Sequence, residues 1–141
     1  AIRRGATRLI DVATLTGAVM VALGDVATGA VTNNDAFLAE LLEASRATGE
    51  RIWQLPSWPE YRKQLESDAA DLKNSGGRHA GTITGGLFIG EFADGLPWIH
   101  LDIGGTAWLF KDRGWELKGA TGVMTRTLAE YALRLGAGRT A

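Results

Sequence analysis

An α/β layered fold is what this sequence predicts. Three observations predict it: short apolar runs of β-type composition, longer segments whose apolar residues repeat at helical spacing, and the alternation of the two along the chain. The 141 residues suffice for one domain, 1–141, with a single core. Apolar residues make up 45% and charged ones 22%, the usual globular balance, which excludes a disordered, collagen-like or coiled-coil protein.

The elements follow in order. Residues 8–16 carry Leu9, Ile10, Val12 and Leu15, a nearly continuous apolar run of the kind found in strands buried on both faces of a parallel sheet. Residues 18–23 and 27–32 repeat that composition with Gly24 and Gly29 as punctuation, and predict two more strands. Asn33-Asn34-Asp35 then supplies capping side chains. Phe37, Leu38, Leu41 and Leu42 fall on one helical face, and Gly49 stops the helix. Trp53 and Leu55 lead into Pro56, and a shorter helix starts near Pro59 with Tyr61 and Leu65 inward.

Residues 68–82 are polar and glycine-rich and predict a loop. Thr82 caps a helix through Phe92, with Ile83, Leu87 and Phe88 inward and Gly85-Gly86 permitting close packing. In PWIHLDIGG, Ile99, Leu101 and Ile103 share one face of a strand, and Trp98, His100 and Asp102 the other. Residues 114–122 are a loop. From Thr121 a last helix carries Met124, Leu128, Tyr131, Ala132 and Leu135, with Gly136 as its stop.

Charge and residue usage narrow the function classes. The formal net charge is −1 with acids and bases interspersed, so no electrostatic footprint for nucleic acid or anionic lipid exists. There is no cysteine, which excludes disulfides and thiolate metal sites and permits an intracellular setting. The longest uncharged run, 12–24, falls short of the ~20 apolar residues that cross a bilayer, and no secretory signal pattern opens the chain.

Few side chains suggest chemistry. His100 and Asp102, two apart on a strand, have the geometry of part of a metal site, of a base with its orienting carboxylate, or of a hydrogen-bonded pair at a strand end. Two ligands do not make a metal site, and spacing does not show whether Asp71 or His79 converge on them. Ser75 with His79 lies in a polar loop and matches no recognised nucleophile and base arrangement. KGATG, Lys118 to Gly122, has its lysine on the wrong side of the turn for a phosphate loop, which also disfavours a nucleotide-binding domain. What remains is ATLTG at the end of the first strand. Such an end exposes backbone N–H and C=O groups that can grip a peptide, and Gly17 leaves room for an incoming backbone.

The stretches DVATLTGAVMVALG, ATGAVTNN, GERIWQLP, SDAADLKN, HLDIGGTAW and KGATG followed by RTL occur in an order and spacing that resemble the leucine aminopeptidase family, the cytosolic two-metal exopeptidases. The resemblance covers nearly the whole chain. It implies a three-layer αβα sandwich with a mixed, mainly parallel sheet, a cytoplasmic setting, a peptide substrate and a homo-oligomer, hexameric in the family. It also implies two divalent ions, zinc or manganese, which activate water and polarise the scissile carbonyl.

By that resemblance Leu15 offers its carbonyl and Gly17 its amide to the substrate backbone, while Thr14, Gly17, Gly104 and Ala107 line the pocket for the N-terminal side chain. The family's metal ligands are aspartates, a glutamate and a lysine, most of them in segments upstream of ATLTG, including a hallmark Asn-Thr-Asp-Ala-Glu-Gly-Arg that does not occur here. The chain is therefore expected to hold the C-terminal part of a catalytic domain. It carries the substrate groove, no metal or catalytic residue is assigned in it, and it is inactive without an upstream half. The rival expectation is a non-catalytic peptide-binding or oligomerisation module. An unpaired apolar strand edge at Leu9 to Leu15 predicts self-association. Departures from the family pattern are Gly104, which would enlarge the pocket where alanine is usual, Gly85-Gly86, and Val123-Met124-Thr125.

Overall fold

In a computed structural model that describes residues 1–137, four strands form one sheet: β1 (Leu9–Ala13), β2 (Thr28–Thr32), β3 (Ile52–Gln54) and β4 (Trp98–Asp102). Their spatial order is β1-β4-β2-β3. β1 runs parallel to β4 with Ala13 opposite Asp102, and β2 runs parallel to β3. β2 and β4 are antiparallel, with Gly29 opposite Asp102. The sheet is mixed and mainly parallel, and the expected three layers are present.

One face of the sheet is covered by α2 (Asp35–Thr48) and α5 (Thr125–Ala137). There Ile99 and Leu101 pack with Ala30, Phe37, Leu38, Leu41, Met124 and Tyr131. The other face carries α1 (Gly17–Leu23), the short α3 (Pro59–Arg62) and α4 (Gly81–Gly90), with Val31, Leu65, Ile83, Leu87 and Trp98 as its core. β4 therefore divides its residues as its alternation predicts. Close approach of α4 rests on glycine: a Cβ at Gly86 would lie 2.8 Å from the Val31 Cβ, and one at Gly90 2.7 Å from the Trp98 ring.

Local signals place α2 well. Asn34 Oδ1 accepts from Phe37 N at 2.8 Å, and Gly49 ends the helix at φ 76°, in the left-handed region where glycine is unstrained. On this layer the Arg8 guanidinium donates to Glu40 and to the Tyr131 hydroxyl, both at 2.7 Å. Burial pushes the Tyr131 hydroxyl above its ordinary value; the Arg8 hydrogen bond opposes the shift and the Glu40 bond adds to it.

Four expectations are corrected. Residues 18–23 belong to α1, not to a strand, because the Thr16 hydroxyl accepts from Val19 N at 3.2 Å and starts a helix. A seven-residue apolar run is too short for periodicity to decide between the two. Only Val19 of this helix is buried, whereas Val21 is 90% exposed. α4 begins at Gly81 behind Ala80 in a left-handed conformation, so Thr82 is not its cap. α5 begins at Thr125, because Met124 takes φ 69° and cannot continue a helix backward, and Gly136 lies inside it. The expected loop at 114–122 contains a short strand, β6 (Gly119–Ala120), which pairs with β5 (Trp108–Leu109) in a two-stranded ribbon.

Candidate functional site: a strand end held by a buried carboxylate

β1 and β4 are parallel neighbours, so their C-terminal ends deliver two loops to one place, the position where open α/β sheets bind ligands. Thr14, Leu15 and Gly17 leave β1 exposed, and Gly104 and Ala107 follow β4 half-buried. Between the loops sits Asp102, wholly buried. Its Oδ1 accepts from the amides of Leu15 at 3.2 Å, Thr16 at 3.4 Å and Gly104 at 3.0 Å. Its Oδ2 accepts from the Thr16 hydroxyl at 2.6 Å. Four donors offset the cost of taking the carboxylate out of water. The Thr16 hydroxyl also lies 3.3 Å from that of Thr82 on α4, which ties the turn to the neighbouring helix.

The glycines of the site differ. At Gly17 a Cβ would meet nothing within 4 Å, and its backbone is not left-handed, so the fold does not require glycine there. At Gly104 a Cβ would come within 2.5 Å of the Thr16 carbonyl oxygen and 3.1 Å of Asp102 Oδ1. Gly104 therefore draws the two loops together, and the expected enlargement of a pocket does not follow, because the missing methyl would point at backbone. A Cβ at Gly85 would reach Thr16 and Leu15 side-chain atoms at 3.0 and 3.2 Å, so α4 also packs under this turn. Ala107 sits farther along, its amide donating to Ile103 O at 2.9 Å and its carbonyl accepting from Thr121 N at 3.0 Å.

His100 and Asp102 share a face but do not bond to each other, which corrects the expected pair. His100 Nδ1 bonds Asp11 Oδ1 at 2.5 Å, and Asp11 Oδ2 accepts from the Trp98 indole at 2.7 Å. A carboxylate only accepts, so Nδ1 is the donor in this bond, and among the described residues buried Nε2 has no hydrogen-bond partner. The ring sits against α4, its Cδ2 3.3 Å from where a Gly86 Cβ would be. Asp71, Ser75 and His79 lie exposed on the 68–82 loop. The Ser75 hydroxyl accepts from Gly77 N at 3.4 Å, so its bond is local to the loop. Among the described residues no three His, Cys, Asp or Glu side chains gather to hold a metal ion.

In KGATG, Gly119 and Ala120 form β6, and the Thr121 hydroxyl donates to Thr106 O at 2.7 Å and accepts from Val123 N at 3.2 Å. It is a capped turn, beside a cleft of about 400 Å³ lined by Glu50, Arg51, Arg113, Trp115 and Arg126. Sequence reasoning missed Thr16 altogether; a threonine just before an apolar run is an N-cap signal that could have found it.

A sandwich whose parallel strands β1 and β4 end in two loops tied to one buried carboxylate is an α/β domain with a candidate site at the carboxyl ends of its strands. Residues 1–129 match the cytosol aminopeptidase family, catalytic domain, and the chain belongs to that family. It is 52% identical over 132 residues to the probable cytosol aminopeptidase of Alkaliphilus metalliredigens (strain QYMF), a match covering 94% of this chain and 26% of that protein. It is 55% identical over 128 residues to that of Alkaliphilus oremlandii (strain OhILAs), covering 91% and 26%. A solved mutant of tomato leucine aminopeptidase superposes with a TM-score of 0.88 at 42% identity, covering 94% of this chain and 26% of that one. The chain thus spans about a quarter of the length of the curated relatives it matches. No helix among the described residues is long and apolar enough to cross a membrane.

Proposed function

We propose that this chain carries the peptide groove of a metal-dependent leucyl aminopeptidase, an enzyme that removes N-terminal residues from peptides in the cytoplasm. The observation that carries the reading is Gly17: an exposed glycine that neither packing nor backbone conformation demands, at a strand end held in place from below. In the groove the Leu15 carbonyl accepts from the substrate backbone and the Gly17 amide donates to it. Thr14, Gly17, Gly104 and Ala107 surround the N-terminal side chain. Zinc or manganese, when bound, would supply the activated water and the polarised carbonyl.

The donor set for those ions belongs, in this reading, to an upstream half, and the chain alone does not turn over. Leucine anilide hydrolysis tests this directly, with zinc or manganese added and then chelated. No turnover by the chain, and turnover on mixing with an upstream portion, is the expected pair of results. Chelator-sensitive turnover by the chain alone would overturn it. β1 is one of the two edges of the sheet among the described residues, with Leu9 and Ile10 half-buried and Val12 exposed, which supports self-association within a homo-oligomer, hexameric as in the family. A monodisperse monomer in sedimentation at high concentration would refute that part.

A second reading, a non-catalytic peptide-binding or oligomerisation module, draws on the exposed Val21, Phe110, Trp115 and Leu117. It is favoured if an upstream portion fails to restore turnover while the chain still binds a peptide or associates.

A further inference from the structure

Asp102 is the one carboxylate at the strand end, and its surroundings are unusual for a buried acid. Among the described residues it has no lysine, arginine or histidine partner within ion-pair distance. Its charge is met by three backbone amides and one hydroxyl. A carboxylate taken out of water needs such donors. Their arrangement has a geometric consequence.

In a trans peptide the N–H and the C=O of one unit point in opposite directions. Asp102 draws the Thr16 N–H inward, so the Leu15 carbonyl of the same unit points outward, away from the core. It draws the Leu15 N–H inward, so the Thr14 carbonyl also points away from the carboxylate. The Thr16 hydroxyl on Oδ2 and its contact with Val19 N fix where the turn ends and α1 begins, and so where the Gly17 amide lies. The Gly104 amide on the same Oδ1 holds the second loop in register with the first.

We propose that Asp102 is the positioning residue of the peptide groove: with Thr16 it sets the peptide planes that aim the Leu15 carbonyl and the Gly17 amide at a substrate backbone. This rests on the groove reading above. Asp102 touches no substrate itself and acts through the loops it clamps. Replacing it by asparagine removes the charge that draws three amides to one oxygen, and the Thr16 hydroxyl can meet the new NH2 only by turning from donor to acceptor, which weakens the hold on the adjoining planes.

The test is a titration of the isotope-labelled chain with the dipeptide Leu-Gly, followed by the backbone amide resonances, together with amide hydrogen exchange without ligand. Wild type is expected to show shifts at Leu15, Gly17, Gly104 and Ala107, and slow exchange at Leu15, Thr16 and Gly104. Asp102→Asn is expected to weaken the dipeptide about tenfold or more and to speed exchange at those three amides, while Val31, Leu41 and Tyr131 keep their resonances. Thr16→Val is expected to weaken binding roughly threefold or more, and Thr16→Ser, which keeps the hydroxyl, to stay within about twofold of wild type.

Asp102→Asn that binds like wild type while folded overturns the proposal. If that variant does not fold, Thr16→Val against Thr16→Ser decides: equal affinities overturn it. A wild-type chain with no shift at Leu15 or Gly17 overturns the groove reading and the positioning of a substrate with it. Exchange at Thr16 in the asparagine variant then still reports whether the carboxylate sets the turn.

Discussion

Asp102 and Glu50 use the same chemistry for different ends. Both are buried carboxylates. Glu50 Oε2 accepts from the Thr127 amide at 2.8 Å and hydroxyl at 2.7 Å, and Oε1 from the Arg126 guanidinium at 3.4 Å. A threonine that gives both amide and hydroxyl to a carboxylate near a helix start thus occurs twice. At Glu50 the threonine is buried inside α5, and its hydroxyl lies 2.9 Å from that of Thr48 on α2, so the unit locks two helices together. At Asp102 the clamped residues lie next to Leu15 and Gly17, which face solvent. A buried carboxylate is therefore not a functional signal by itself; exposed backbone held in a fixed direction in front of it is.

The comparison can be broken at its strongest point. Glu50→Ala and Asp102→Ala are each expected to lose about 2–4 kcal/mol in denaturant unfolding, because each strands buried donors. Only the Asp102 variant is expected to lose dipeptide binding measured on the folded fraction. Loss of binding in both would show that the effect is global and not directional.

The two glycines sharpen it. Gly104→Ala is expected to cost about 1–3 kcal/mol, since the new methyl lands on the Thr16 carbonyl. Gly17→Ala is expected to change unfolding by less than about 1 kcal/mol, with a gain the more natural sign in a helical first turn, and yet to weaken the dipeptide. A stability loss at Gly17 as large as at Gly104 would remove the argument that the fold leaves that glycine free.

The smallest effect belongs to the helical layer away from the strand end. The folded Tyr131 hydroxyl holds its proton more tightly than the unfolded one. Its contribution is thus fully present below the ordinary value of 10.0 and is lost as pH rises through the folded value. Tyr131→Phe is expected to flatten the alkaline fall in stability in a pH series of thermal melts, with dipeptide affinity near neutrality unchanged.

Much of this was legible in the sequence where the signal is local. α2 is bounded by the residues that bound it physically, Asn34 and Gly49. β4 alternates as its two cores require. α1 was misread because its composition is β-like and one hydroxyl decides its start. The α5 start was displaced because Met124 adopts a backbone conformation that no pattern of apolar residues announces. At the site, Leu15 and Gly17 stood out as a strand end with a glycine, and their roles came from family resemblance. Asp102 stood out for a wrong reason, its spacing from His100; its partners Leu15 and Thr16 lie 87 and 86 residues earlier. Contacts of that range leave no trace in a window of neighbours.

The place of β4 in the sheet has a consequence for how the chain reaches this structure. β4, the last of these four strands in sequence, lies between β1 and β2, so Asp11 meets His100 across a separation of 89 residues. β2, α2 and β3 are close in sequence and can associate early, whereas the sheet neighbour of β1 among the described residues is the distant β4. Loop closure over such a span is slow compared with local pairing. The strand end therefore matures only once β4 has emerged. A nascent chain released before Asp102 would lack α5 as well as the carboxylate, so that the α2–α5 layer and the binding edge would both be incomplete.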